Sequence, residues 1–184
     1  IALRLRWHLA LNRASRVEVE PCAVAASKSR MELFIPTSGV DTIASLRRPG
    51  LGKGRSRSVV VDVVALYDFA AARQVANIDL IKLDVEGAEM DVLAGAREVM
   101  RRTRPCWLFE ALDSTAESWG NSGRKLVDRF AELGHALYEF TPEGRVQAHA
   151  PRVAYPLDSN CNLLAVPVQR LALVAPLLER GPHS

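Results

Sequence analysis

The chain has 184 residues, 48% of them hydrophobic and 24% charged, with a net charge of +3 and a pI near 9.0. That balance suits one soluble globular domain and excludes wholesale disorder, and so small a positive excess does not argue for a nucleic-acid partner. No apolar run reaches the roughly 20 residues of a membrane helix, and no secretory signal is visible.

The chain opens on Ile1 rather than Met and is expected to be a fragment. "LRLRWHLALN" (3–12) has helical spacing at Leu3, Trp7, Ala10 and Leu11. "VEVEPCAVAA" (17–26) alternates and then turns fully apolar, as a strand entering a core does, and "SRMELFIP" (29–36) reads as a second strand. A polar stretch rich in glycine and basic residues follows, read as a loop. "VVVDVVAL" (59–66) reads as a strand and "YDFAAARQVA" (67–76) as a short helix. "IDLIKLDV" (78–85) is a strand and "EGAEMDVLAGAREVMRR" (86–102) a helix. "CWLFEAL" (106–112) is a strand after Pro105, and "GRKLVDRFAELG" (123–134) an amphipathic helix stopped by Gly134. A strand, a turn at 142–144 and a short return occupy 135–149. "CNLLAVPV" (161–168) is the last strand, and "QRLALVAPLLER" reads as a terminal helix.

Strands alternating with helices argue for an α/β fold with a mostly parallel sheet. In such sheets ligands bind beyond the carboxyl ends of the strands. Buried parallel strands should be near-continuous apolar runs, yet Lys82 and Asp84 interrupt one and point to the same face. They therefore either pair or reach the sheet edge. Glu86 follows just past the strand, with Gly87 allowing close backbone approach, and the next strand carries Glu110 near its end. If these strands are neighbours, about 4.8 Å apart, then Asp84, Glu86 and Glu110 converge on one cleft. Such a group can hold a divalent cation, accept a proton from a hydroxyl, or fix the hydroxyls or cationic end of a ligand. Glu89 is expected to cap the helix, and Lys82 to be a structural partner of one of the acids.

The stretch "IDLIKLDVEGAEMDVLAGAREVMRRTRPCWLFE" resembles the signature of the FkbM-type family of S-adenosylmethionine-dependent methyltransferases. The matching positions are Lys82, Asp84, Glu86, Gly87, Glu89, Leu93, Gly95, Ala96, Arg104, Pro105 and Glu110. "RVEVEPCAV", "IPTSGVDTI", "VVALYDF" and "CNLLAVP" are similar to other segments of the family and extend the resemblance over residues 3 to 168.

The resemblance implies a class I methyltransferase, a Rossmann-like sheet ordered 3-2-1-4-5-7-6 with the last strand antiparallel. It implies S-adenosylmethionine as cofactor and a hydroxyl on a sugar or small molecule as acceptor. Asp84, Glu86 and Glu110 would be the catalytic group. Asp84, with Cys22, Ala23 and Val24, would contact the cofactor. A divalent cation is compatible but not required. The family's glycine-rich turn and ribose-binding acid, after its first and second strands, have no counterpart here. Residues 1–184 are thus expected to be one N-terminally truncated domain lacking strands 1 and 2. The competing reading is a degenerate, non-catalytic domain serving as an interaction module.

The remaining features read as structural. Cys22, Cys106 and Cys161 form no CxxC pair and are taken as buried, reduced thiols of a cytoplasmic protein. The glycines at 50–54 match no phosphate-binding motif. Arg47, Arg48, Lys53, Arg55 and Arg57 are expected to be a solvated charge run, a phosphate-bearing substrate being the alternative. His8, His135, His149 and His183 match no ligand spacing and are expected to be structural or exposed.

Overall fold

The computed structural model describes residues 2–37, 44–47, 56–157 and 162–178. Residues 38–43, Arg48, the glycine cluster 50–54 with Lys53, Arg55, Cys161 and His183 lie outside the described residues.

The expected helix at the start forms as α1 (Ala2–Leu11), but it buries no side chain. Its apolar stripe Leu3, Trp7 and Leu11 faces solvent. The expected strand at 17–26 narrows to β1 (Cys22–Val24). Pro21 cannot donate to a ladder, and Glu18 and Glu20 instead pair with Arg73. β2 (Ser29–Pro36) and β3 (Ser56–Val64) run antiparallel, and β1 joins β3 in parallel, giving the order β1-β3-β2.

The second sheet carries most of the core. Its order is β4 (Leu80–Leu83), β5 (Cys106–Glu110), β8 (Asn162–Pro167), β6 (His135–Phe140) and β7 (Val146–Ala148). β4 and β5 are parallel, and β8 is antiparallel to both its neighbours, β5 and β6. The α/β class and the antiparallel last strand thus agree with the sequence reading. The mostly parallel sheet is met in part: β4, β5 and β6 share one direction, and β7 and β8 oppose it. Among the described residues two pairings are parallel and four antiparallel, and they form two sheets rather than one. The reason is local: β2 and β3 pair along eight positions, and β8 inserts between β5 and β6 against their direction.

Phe130 of α6 (Gly123–Glu132) sits at the centre of the core, stacked on Phe109 at 4.3 Å between ring centroids and tilted against Trp107. All three are essentially buried, and each would cost about 3–5 kcal/mol if truncated to Ala. α6 forms where expected. Ser122 caps its first turn by accepting from the Lys125 amide, and Gly134 leaves it with φ of +78°. His135 is buried against Phe130, and burial pushes its pKa down, so it behaves as a neutral core residue.

α2 (Leu66–Ala72) follows β3. The long helix expected at 86–102 is two seven-residue helices, α3 (Glu89–Gly95) and α4 (Arg97–Thr103). The break falls where the chain passes the end of β1: a Cβ on Gly95 would stand 2.3 Å from the Ala25 carbonyl oxygen. The expected C-terminal helix is a run of 3-10 turns over Val168–Leu173 and Ala175–Leu177, kinked at Arg170, with Pro176, which has no amide hydrogen to offer, inside the second turn. Among the described residues no helix is long and apolar enough to cross a membrane.

A polar clasp closes the segment between β7 and β8. The Glu139 carboxylate accepts from Gln147 (2.8 Å) and Arg152 (2.6 Å) and meets His149 Nδ1 at 3.0 Å. His149 Nε2 meets the Tyr155 hydroxyl at 2.8 Å. The Tyr155 amide donates to Asp113, at the start of α5 (Asp113–Ala116). His149 and Tyr155 are buried, so the structural reading of this histidine holds.

Gly95 joins the two sheets by backbone contact alone. Gly95→Ala gains up to about 1 kcal/mol of helix propensity but must displace the Ala25 carbonyl. We expect a net loss of about 1–3 kcal/mol, measured by urea unfolding.

Candidate active site

The parallel register Leu80↔Cys106 to Leu83↔Phe109 carries Asp84 off the end of β4 beside Glu110 at the end of β5. On the far side of β5 the antiparallel register sets Glu110 opposite Asn162. These ends enclose a cleft of about 220 Å³ lined by Lys82, Asp84, Glu110, Asn162 and the backbone neighbours Leu83, Leu108 and Phe109.

Lys82 and Asp84 bond directly, Nζ to Oδ2 at 2.5 Å, so Lys82 is the partner of an acid as expected. The buried-charge problem posed by the sequence does not arise. β4 pairs only with β5 among the described residues, and 61% of the Lys82 side chain and 49% of Asp84 are exposed. Such wet pairs contribute at most about 1 kcal/mol, so this pair contributes little to stability and more to the charge of the cleft. The Asp84 hydrogen bond raises the Lys82 pKa and keeps its ammonium charged.

Glu86 does not stand in the first turn of the helix, as its acidic character suggested. It stands in the turn before it, with φ of +53°, and Gly87 follows with φ of +97°. A left-handed conformation at a non-glycine residue costs of order 1 kcal/mol and recurs at functional sites. Gly87 is needed twice over. Its φ favours glycine, and an added Cβ would lie 2.4 Å from Thr115 O and 2.5 Å from Trp119 Cδ1. Glu89 is the first residue of α3 and is buried. Its Oε1 accepts from the Gly87 amide at 3.1 Å, so it ties down the turn as well as facing the helix N-terminus.

Burial raises the pKa of Glu86, and the charges of Asp84, Glu110 and Glu89 raise it further. Burial likewise raises Glu89, against the pull of backbone hydrogen bonds from Glu89, Gly87 and Val85. Asp84 and Glu110 therefore share the cleft, and Glu86 stands close enough to feel both. No group of three or more His, Cys, Asp or Glu side chains is arranged to hold a metal among the described residues.

The other candidates lie elsewhere. Cys22, Ala23 and Val24 are in the first sheet, half-buried and paired with Asp62, Val63 and Val64. Among the described residues they make no hydrogen bond or ion pair with Asp84, Glu86 or Glu110. Burial raises the Cys22 thiol, so it is not an activated nucleophile. Arg47 is exposed, as expected of a solvated charge, but it is also anchored: it lies over the Trp119 ring and donates to Ser118 O. Sequence reading assigned no role to Asn162 or Trp119. The asparagine opening the last strand, one position from an apolar run, was the available signal for the first.

A profile of the family described as Methyltransferase FkbM domain matches residues 4–139. No curated protein matches the chain significantly. Among solved structures the chain is similar to the crystal structure of Methyltransferase FkbM from Methylobacillus flagellatus KT, at 19% identity and a TM-score of 0.44. That similarity covers 88% of this chain and 31% of the other, so the chain spans less than a third of that protein's length.

The raised Glu86 pKa has two checkable consequences. Glu110→Gln removes one of the like charges acting on it, so the Glu86 midpoint should fall in a carboxyl NMR titration. A carboxyl raised on folding stabilises the fold below its unfolded pKa, and that contribution is lost as pH rises through the folded value. Glu86→Gln should therefore raise stability at neutral pH, read as a higher urea midpoint, with little effect at acid pH.

Proposed function

The chain belongs to the FkbM methyltransferase domain family, and on that premise we propose that it takes part in S-adenosylmethionine-dependent methylation of a hydroxyl oxygen on a sugar or other small molecule. The observation that carries this reading is the acidic cleft at the carboxyl ends of parallel β4 and β5, where α/β sheets bind ligands.

The donor set fits the cofactor's reacting end. Asp84, Glu86 and Glu110 outnumber Lys82, and a net negative site suits a cationic sulfonium. S-adenosylmethionine supplies an electrophilic methyl group on that sulfonium when bound. The chain's residues supply the rest of the chemistry. Glu110 accepts a hydrogen bond from an acceptor hydroxyl, and the Asn162 amide can donate to or accept from its neighbour. Lys82 holds the Asp84 carboxylate in one orientation. Glu86 takes the hydroxyl proton as the oxygen attacks, and its raised pKa makes it a stronger base than an ordinary glutamate. The largest contribution is alignment of hydroxyl and methyl along one line.

The cleft of about 220 Å³ is smaller than the roughly 300–1,000 Å³ of most small-molecule sites. It matches the acceptor end of the reaction, not a whole cofactor. β1 adds only backbone and the small side chains of Cys22, Ala23 and Val24 toward an adenine. The ribose contacts therefore fall to groups outside this cleft. The solvent-facing stripe of α1 and the unpaired edges of β1 and β4 among the described residues leave surface open for them.

Calorimetry with S-adenosylmethionine tests both parts. This chain alone is expected to give no detectable heat, and a longer form supplying a glycine-rich turn and a ribose-binding acid to bind at micromolar concentration. Micromolar binding by this chain alone would sink the division of the site. Failure of the longer form would sink the methyltransferase reading and favour the interaction module. In the longer form, Glu86→Gln should lower kcat by about 10²–10⁴-fold with little change in cofactor affinity.

A further inference from the structure

The turn bearing Glu86 is covered from outside by residues that the reaction does not use. Gly87 lies so close under Trp119 that an added Cβ would be 2.5 Å from its Cδ1. The indole Nε1 is buried without a hydrogen-bond partner, so the ring is present as a surface and not as a donor. The outer face of that ring carries the Arg47 guanidinium, 4.8 Å from its centroid. Arg47 Nη1 also donates to Ser118 O at 2.7 Å. Arg47 is itself anchored. Its amide donates to Ser45 Oγ at 3.3 Å, and Ser45 exchanges two backbone hydrogen bonds with Phe34 of β2, at 2.8 and 3.1 Å.

These contacts run unbroken from the first sheet to the turn: Phe34, Ser45, Arg47, Trp119, Gly87, Glu86. The first link is a pair of backbone hydrogen bonds, and the last is the chain itself, with the Trp119 ring set against the Gly87 backbone. Arg47 is exposed, so its stacking adds little to global stability. What it does fix is the position of the indole over a turn whose two left-handed residues are also held by the Glu89 carboxylate on the Gly87 amide and by the Ala88 amide donating to Val85 O at 3.3 Å.

We propose that Arg47 and Trp119 are positioning residues that clamp the Glu86–Gly87 turn, and so hold Glu86 beside Asp84 and Glu110. The clamp matters for catalysis only if Glu86 is the base, so in that respect it rests on the reading above. As a piece of architecture it can be tested without any methyl donor.

The test uses the full chain and two local readouts: the carboxyl NMR titration of Glu86 and amide exchange at Gly87. The groups facing Glu86 are Asp84, Glu110 and Glu89, and none of them is altered. R47A and W119A should speed Gly87 exchange by about tenfold or more and drop the Glu86 midpoint toward the ordinary glutamate range, as the turn opens to water. W119F keeps an aromatic surface over Gly87 and should preserve both values. If W119A does not fold, R47A and W119F carry the comparison. Wild-type exchange and titration in R47A would overturn the proposal. So would a W119F that loses both, because the missing N–H has no partner to lose. Absence of methyl transfer in every form would refute the methyltransferase reading and leave these readouts unchanged.

Discussion

The site depends on one register. β4 and β5 pair in parallel so that Leu83 lies opposite Phe109, and the next residue beyond each apolar run is an acid or stands beside one. A slip of one residue would turn Asp84 and Glu110 to opposite faces, because strand side chains alternate. The register is protected by what lies behind it. Trp107, Phe109 and Phe130 interlock in a core where truncation of any one costs several kcal/mol. The carboxylates contribute almost nothing to that stability and are held in place by it.

Two glycines connect this sheet to its surroundings, and each does so through backbone contact. Gly95 lets α3 touch the end of β1, and Gly87 lets the turn after β4 slide beneath Trp119. In both places a side chain would occupy space taken by a carbonyl or a ring. Such sites tolerate little, since interiors are close-packed and shift reluctantly. The placement of Glu86 is therefore a packing result and not a consequence of helix electrostatics.

Much of the carboxyl edge was legible in the sequence. The strands at Leu80–Leu83, Cys106–Glu110 and Asn162–Pro167 carry strong apolar runs, and the acids interrupt them where an edge was inferred. The pairing of Lys82 with Asp84 followed from the two-residue period. Less was legible where long-range contacts decide. Glu86 reads as a first-turn acid because composition cannot show that the turn ends two residues later, under Trp119. The anchoring of exposed Arg47 was not legible because its hydrogen-bonding partner is 71 residues away. The antiparallel pairing of β2 with β3 overrode the parallel expectation, since neither strand reveals its neighbour. The terminal apolar run is helical by composition, yet it forms short 3-10 turns kinked at Arg170.

Under the proposed reading of Glu86 as the base, the energetic signs at its turn place chemistry above stability. Glu86 combines a left-handed backbone, partial burial and three like-charged neighbours. Each of these opposes folding, and no salt bridge to Glu86 offsets them among the described residues. Lys82, the cation lining the cleft among the described residues, is committed to Asp84. A purely structural residue at this position would be better served by asparagine or glycine, which accept positive φ without carrying charge. A base needs the opposite: a carboxylate whose proton affinity is raised and whose position is fixed. Burial supplies the first, and the packing of Gly87 under Trp119 supplies the second. Burial, which makes Glu86 costly to fold, is also what would make the proposed base effective at taking a proton.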